Sequence, residues 1–177
     1  MYYTGKGDDG STEITRGERQ RKSNIAFEAI GTLDELNSQI GVARIYASDE
    51  TIRKELLEIQ NELFAIGADL YYAFNGQDKT TFKADRIKAL EEGITRMGSL
   101  MPPLKSFVIP GGGLASAYLH LTRAVARRAE RDLVKLSDVL KINQAILTYM
   151  NRLSSYLFVA ALYSNYVSGI KEINPHY

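Results

Sequence analysis

Residues 50–70 read ETIRKELLEIQNELFAIGADL. Ile52, Leu56, Ile59, Leu63, Ile66 and Leu70 follow one another at alternating steps of four and three. That spacing returns apolar side chains to one helical face, as in a coiled-coil seam. Upstream, Ser48-Asp49-Glu50 predicts a break and a new helix start, with Ser48 as cap and acids near the positive helix end. Downstream, Asn75-Gly76 predicts the stop.

The same period recurs on both sides. From about Asn24 to Ala47, Ile30, Leu33, Leu36/Asn37 and Ile40 mark a first helix. Ile87, Leu90, Ile94 and Met97 mark a shorter third one, ended by Gly98 and Pro102-Pro103. After Pro110-Gly111-Gly112-Gly113 a fourth helix carries Leu114, Tyr118, Leu121, Val125, Ala129, Leu133 and Leu136. A fifth runs from roughly Ile142 to Val167, with Ile146, Met150, Leu153, Leu157 and Ala160, and Gly169 stops it. No segment shows sustained strand alternation with turn signals. The expected fold is all-α: a bundle of four or five helices in a single domain, with a loop over residues 1–23, helices over 24–170 and a tail over 171–177.

Composition agrees and removes several functions. A chain of 177 residues is one domain's worth. At that size about 70% of the unfolded surface is buried, so no covalent staples are needed. Cysteine is absent, which excludes disulfides, thiolate metal sites and cysteine nucleophiles. The net charge of +1 disfavours a global grip on nucleic acid or anionic membrane. The longest apolar run, Tyr156 to Tyr163, is about half of a membrane span. With a polar N-terminus unlike a signal peptide, the expected address is cytoplasmic. Only His120 and His176 are imidazoles, which argues against a di-iron bundle, a hydrolytic zinc site or a Ser-His-Asp triad.

The leading segment stands apart from the helical pattern. Thr4-Gly5-Lys6-Gly7-Asp8-Asp9-Gly10-Ser11-Thr12 concentrates glycines, hydroxyls and charge. Such a run is either a flexible tail or a cradle whose backbone N–H groups meet an anion. Its G-x-G-x-x-G spacing carries no dinucleotide meaning, because no strand precedes it and no βαβ unit follows. Two aspartates would repel a polyphosphate unless Mg²⁺ or nearby cations intervene. The glycines also make ordering costly, which predicts that the loop orders only against a ligand.

The fourth helix is the other candidate. On a wheel of about 100° per residue, His120, Arg127 and Glu130 lie within about 60° of Arg123, and Arg131 within about 80°. Leu114, Leu121 and Val125 fall opposite. The polar face is either solvated or a binder of phosphate or carboxylate, for which arginine's planar fork is suited. Asn151-Arg152 beside an apolar seam needs partners, from another helix or from a ligand. Asp34-Glu35 reads as a surface or interhelix ion pair.

Taken together, these blocks resemble the propanediol-utilisation type of ATP:corrinoid adenosyltransferase. The opening Tyr3-Thr4 with Gly7-Asp8-Asp9-Gly10-Ser11-Thr12 is similar to that family's first loop, continued by Gly17-Glu18-Arg19 and Lys22. Gly31-Thr32-Leu33-Asp34-Glu35-Leu36-Asn37-Ser38 with Gly41 resembles its first helix, and Ile59-Gln60, Leu63-Phe64 and Gly67-Ala68-Asp69-Leu70 its second. The most specific block is Phe107-Val108-Ile109-Pro110-Gly111-Gly112, then Leu119-His120, Arg123 and Arg127-Arg128-Ala129-Glu130-Arg131, with Asn151-Arg152-Leu153-Ser154 closing the set.

The resemblance implies a five-helix bundle and a homotrimer with active sites between subunits. It implies transfer of the 5′-deoxyadenosyl group of ATP to cobalt(I) of reduced cobalamin, with triphosphate released. It assigns Thr4, Gly5, Lys6, Gly7, Thr12, Lys22, Arg127, Arg128, Glu130, Arg131 and Asn151 to ATP, and gives Arg127 the catalytic part. Mg²⁺ is expected on the phosphates. Phe107 is assigned to the corrinoid, where it excludes the lower axial ligand and eases reduction of cobalt(II). Asp34 and Arg123 match a salt bridge across the subunit interface. A corrinoid reductase is the implied partner. The chain departs from the family pattern at Gly5-Lys6, Ala26, Ser155 and Leu162. Two other classes are set against this reading: a carrier or sensor of ATP or corrinoid without turnover, and a nucleic-acid module using the arginine helix, which the near-zero net charge disfavours.

Overall fold

The computed structural model describes residues 2–15 and 17–176. Met1, Arg16 and Tyr177, which the expected loop and tail include, lie outside the described residues. Five helices carry the chain: α1 (Ile25–Tyr46), α2 (Glu50–Phe74), α3 (Asp85–Ser99), α4 (Leu114–Ser137) and α5 (Gln144–Val167). Side-chain caps start three of them. Asn24 accepts from the Ala26 N–H, Asp49 from those of Thr51 and Ile52, and Asn143 from that of Ala145. Asp49, not Ser48, therefore begins α2, and α5 begins two residues later than the apolar pattern indicates. α3 also runs one residue past Gly98 before the prolines take over.

All six apolar residues of the α2 seam are buried. They meet α1, which packs in turn on α4; α4 packs on α5, and α3 covers the other side of α5. Leu36, Ile40, Leu56, Ile66, Leu119, Leu133 and Leu157 sit at the centre of the core. Each such side chain contributes about 1.5–3 kcal/mol over an exposed one.

Two polar rungs built on the buried Tyr149 and Tyr156 tie α2, α3 and α5 together. Tyr156 Oη donates to Glu55 Oε2 at 2.7 Å, and Arg96 Nη2 reaches the same carboxylate at 2.7 and 2.8 Å. One helical repeat along, Tyr149 Oη donates to Glu62, and Arg86 lies 3.7 Å from that carboxylate. A buried hydroxyl needs an acceptor, so each tyrosine selects its glutamate. Burial raises the Glu62 carboxyl above its ordinary range, against the opposing pull of the Tyr149 hydrogen bond and Arg86.

The expectation of a helical chain behind a structureless loop is corrected in one place. Residues Ser11–Thr15 (β1) and Glu18–Arg21 (β2) form an antiparallel hairpin with a register shift between Glu13 and Thr15. Gly17 stands at its turn with φ +86°. The strands are short and polar, and β1 packs on α2 through the partly buried Ile14. An apolar alternation was therefore never present to be read.

Candidate active site

The leading loop turns on Gly5 and Gly10, whose φ of +68° and +77° suit a residue without Cβ. Between them, Asp8 N–H donates to the Gly5 carbonyl at 3.3 Å and Gly10 N–H to that of Gly7 at 3.2 Å. Lys22 N–H closes the base of the loop on the Gly10 carbonyl at 2.9 Å. The Lys22 side chain then folds over Gly7: a Cβ there would stand 3.1 Å from Lys22 Nζ. Lys6 N–H reaches Thr4 Oγ1 at 3.4 Å. Thr4, Gly5, Lys6, Gly7 and Lys22 thus gather in one exposed loop, while Thr12 sits in β1 opposite Gln20.

The charge problem of the two aspartates is half resolved within the loop. Arg19 donates to Asp9 Oδ1 at 2.9 Å and also to the Lys6 carbonyl and Ser11. Hydrogen bonds from the Ser11 hydroxyl and N–H, with the Arg19 charge behind them, hold the Asp9 carboxyl below its ordinary range. Asp9 is therefore a structural anion, already paired with a cation.

On α4 the arginines diverge. Arg127 is exposed and lines a cleft of about 730 Å³ between α4, α5 and the segment 104–110. Phe107, 77% exposed, lines the same cleft, together with Arg123, His120, Ser155 and Phe158. Glu130 accepts from Asn151 Nδ2 at 2.8 Å, which joins the two helices beside the ridge. Arg131 Nη1 donates back to the Arg127 carbonyl at 3.0 Å. Arg128 turns instead toward α1 and pairs with Glu35, so this guanidinium is already engaged. Arg152 is engaged too, with Glu91 at 2.9 Å.

His120 is 3% exposed, and neither ring nitrogen has a partner among the described residues. Burial, then the neighbouring Arg123 charge, hold its pKa below the ordinary imidazole value, so the ring is neutral. Its edge meets Phe158 at 5.9 Å, and the Arg123 guanidinium stands 6.0 Å from the same ring. Leu114 and Leu121, expected on the buried side of α4, are 64% and 52% exposed. The helix is wedged between α1 and α5, and it buries the small residues Ser116, Ala126 and Ala129 together with Leu119, Leu133 and Leu136. Phe158 went unread in the sequence, because an aromatic inside an apolar helical run carries no signal that separates cleft from core.

Loop and ridge remain apart in the single chain. Among the described residues no hydrogen bond or ion pair joins the loop to α4, and the hairpin rests on α2. Asp34 is exposed on α1, and neither it nor Arg123 makes an ion pair among the described residues.

Residues 2–164 match the family model described as cobalamin adenosyltransferase. This chain belongs to the cobalamin adenosyltransferase family. Among its relatives, the corrinoid adenosyltransferase of Bacillus subtilis (strain 168) is 39% identical over 175 residues, covering 97% of this chain and 90% of the relative. The corrinoid adenosyltransferase of Citrobacter freundii is 42% identical over 165 residues, covering 91% and 94%. In three dimensions the chain superposes on a phenylalanine-to-alanine variant of the PduO-type ATP:corrinoid adenosyltransferase from Lactobacillus reuteri, complexed with cobalamin and ATP. The TM-score is 0.93 at 35% identity, over 100% of both chains. The five-helix architecture is thus the family's own.

Proposed function

We propose that this chain is a transferase that moves the 5′-deoxyadenosyl group of ATP onto cobalt(I) of a reduced corrinoid, cobalamin in the first instance. The cobalt lone pair forms the bond to C5′. The C5′–O bond breaks, and its electron pair leaves with triphosphate. Cobalt(I) is already a strong nucleophile and no proton has to move, which accords with a cleft whose one histidine is buried and neutral.

The protein's work is alignment and charge. Arg127 stabilises the triphosphate as negative charge develops on the leaving oxygen. Lys22 and the N–H groups of Thr4 to Gly7 wrap the phosphates. Thr12, Arg131 and the Glu130–Asn151 pair complete the nucleotide site, with Arg128 recruited from its Glu35 partner. Among the described residues no group of three or more acidic or imidazole side chains gathers to hold a metal. A Mg²⁺ on the nucleotide would be held mainly by phosphate oxygens and water, its common habit. When bound, it would neutralise leaving-group charge.

The separation of loop and ridge in one chain supports a homotrimer in which each site is shared. Asp34 of one subunit then meets Arg123 of the next, which organises the site. The reading places the work in the cytoplasm, served by a corrinoid reductase. Among the described residues no helix is long and apolar enough to cross a membrane.

One observation carries the proposal: Phe107 and Arg127 line a single cleft, in a chain that superposes throughout on a protein complexed with cobalamin and ATP. The test is incubation with ATP, Mg²⁺ and chemically reduced cobalamin. The expected result is the absorption spectrum of the adenosylated product. Tight ATP binding without product would replace the enzyme with a carrier or sensor.

A further inference from the structure

Phe107 lies in the irregular stretch between α3 and α4, so no helix fixes its ring. The anchors come from the far end of the chain. Asn174 Nδ2 donates to the Phe107 carbonyl at 2.8 Å, and the Ile109 N–H donates to the Ile173 carbonyl at 2.7 Å. Both residues reach back from a hub at the last turn of α5. There Asn165, 1% exposed, accepts from the Gly113 N–H at 3.0 Å and donates to the Gly111 carbonyl at 3.1 Å and to Glu172 Oε1 at 3.0 Å. The Ile170 N–H returns to the Asn165 carbonyl at 2.9 Å. Gly112 makes the hub geometrically possible: its φ is +99°, and a Cβ on it would collide with the Asn165 carboxamide.

A buried carboxamide with its donor and acceptor both satisfied is costly to displace. The hub is therefore rigid, and residues 170–174 carry that rigidity to the Phe107 peptide. We propose that Asn165 and Asn174 are positioning residues of the transfer reaction, with residues 170–174 serving as a strap that fixes Phe107 in the cleft. The inference rests on the reading above that Phe107 meets the corrinoid. A ring that works by occupying the space of a competing ligand depends on its placement, and a shift of about 1 Å can cost about a hundredfold in rate.

Asn174 is exposed, so changing it separates placement of the ring from folding of the bundle. The experiment is steady-state kinetics on the full chain, with Asn174→Ala, Phe107→Ala and the double variant, varying corrinoid and ATP in turn. Asn174→Ala is expected to lower kcat/KM for corrinoid by about fivefold or more while the ATP KM holds within about twofold. Asn174→Asp keeps the size, loses the donor, and is expected to match it. In the Phe107→Ala background the same change is expected to have an effect below about twofold, because no ring remains to be misplaced. With ATP present, the spectrum of bound cob(II)alamin is expected to show less of the form without a lower ligand in Asn174→Ala. Equal losses in both backgrounds would overturn the inference, as would an ATP KM rising in step or a variant indistinguishable from the unaltered chain. Absence of turnover by the unaltered chain would sink the parent reading and this inference with it, whereas additive losses sink this inference alone.

Discussion

In the proposed reaction Arg127 carries the leaving-group charge; its guanidinium is exposed, and no buried contact depends on it. Arg127→Ala is expected to lower kcat by about 10²–10³, the usual loss when a donor to developing charge is removed. Its circular dichroism and melting curve are expected to match the unaltered chain; near-normal kcat would remove the arginine from the reaction. His120 makes the opposite case, a buried group whose charge state serves the fold. Unfolded, its imidazole titrates near 6.5, and folded it titrates lower. Above that value both states are neutral and stability is whole. As pH falls below it, the unfolded chain takes up the proton first, so stability is lost down to the folded pKa. The urea midpoint is expected to drop between pH 7.5 and 5.5, and His120→Gln is expected to flatten that drop. Equal losses in both proteins would mean that the buried ring is not the titrating group.

The turn that leads into α4 is an element whose shape depends on one missing methyl. Gly112→Ala meets both an unfavourable φ and the Asn165 carboxamide, and is expected to destabilise the chain by about 1–3 kcal/mol in denaturant melts. Gly111→Ala, with nothing near its Cβ position, is the control and is expected to cost well under that. If the two substitutions cost the same, the hub is not the constraint. The helices themselves were legible: the alternating steps from Ile52 to Leu70 became a fully buried seam, and Gly76 and Gly169 do close α2 and α5 with positive φ. The hairpin was not legible, because ERQR offers no apolar alternation and, among the described residues of the hairpin, only Ile14 packs on the core. On α4, Val125, Ala129, Leu133 and Leu136 are buried as the pattern indicates, and only Leu114 and Leu121 of the expected apolar side are exposed. The Tyr156–Glu55 rung and the Asn165 hub join residues 101 and 54 positions apart, and no local pattern marks such pairs. Arg127 and Phe107, expected in the site by motif, line one cleft, but that Arg128 is bound to Glu35 needed the folded α1–α4 pair.

At the scale of the molecule, the account requires that loop and ridge meet across a subunit boundary, since in one chain the hairpin behind the loop packs on α2 while the ridge lies on α4. Lys22→Ala damages only the loop and Arg127→Ala only the ridge. Trimers assembled from both variants together are expected to regain activity, because some interfaces join an intact loop to an intact ridge. Separately assembled trimers mixed without exchange are expected to stay inactive. Verified mixed trimers without recovery would confine the site to one chain. The exposed Leu114 and Leu121 on α4 give such an assembly apolar surface to bury. The claim beneath all of this is the displacement at C5′, and its most direct measure is the fate of the phosphates. With γ-labelled ATP and chemically reduced cobalamin, the account predicts one intact triphosphate for each cobalt–carbon bond formed. Label recovered as orthophosphate in step with product, or ATP turned over with no cobalt–carbon bond, would contradict it.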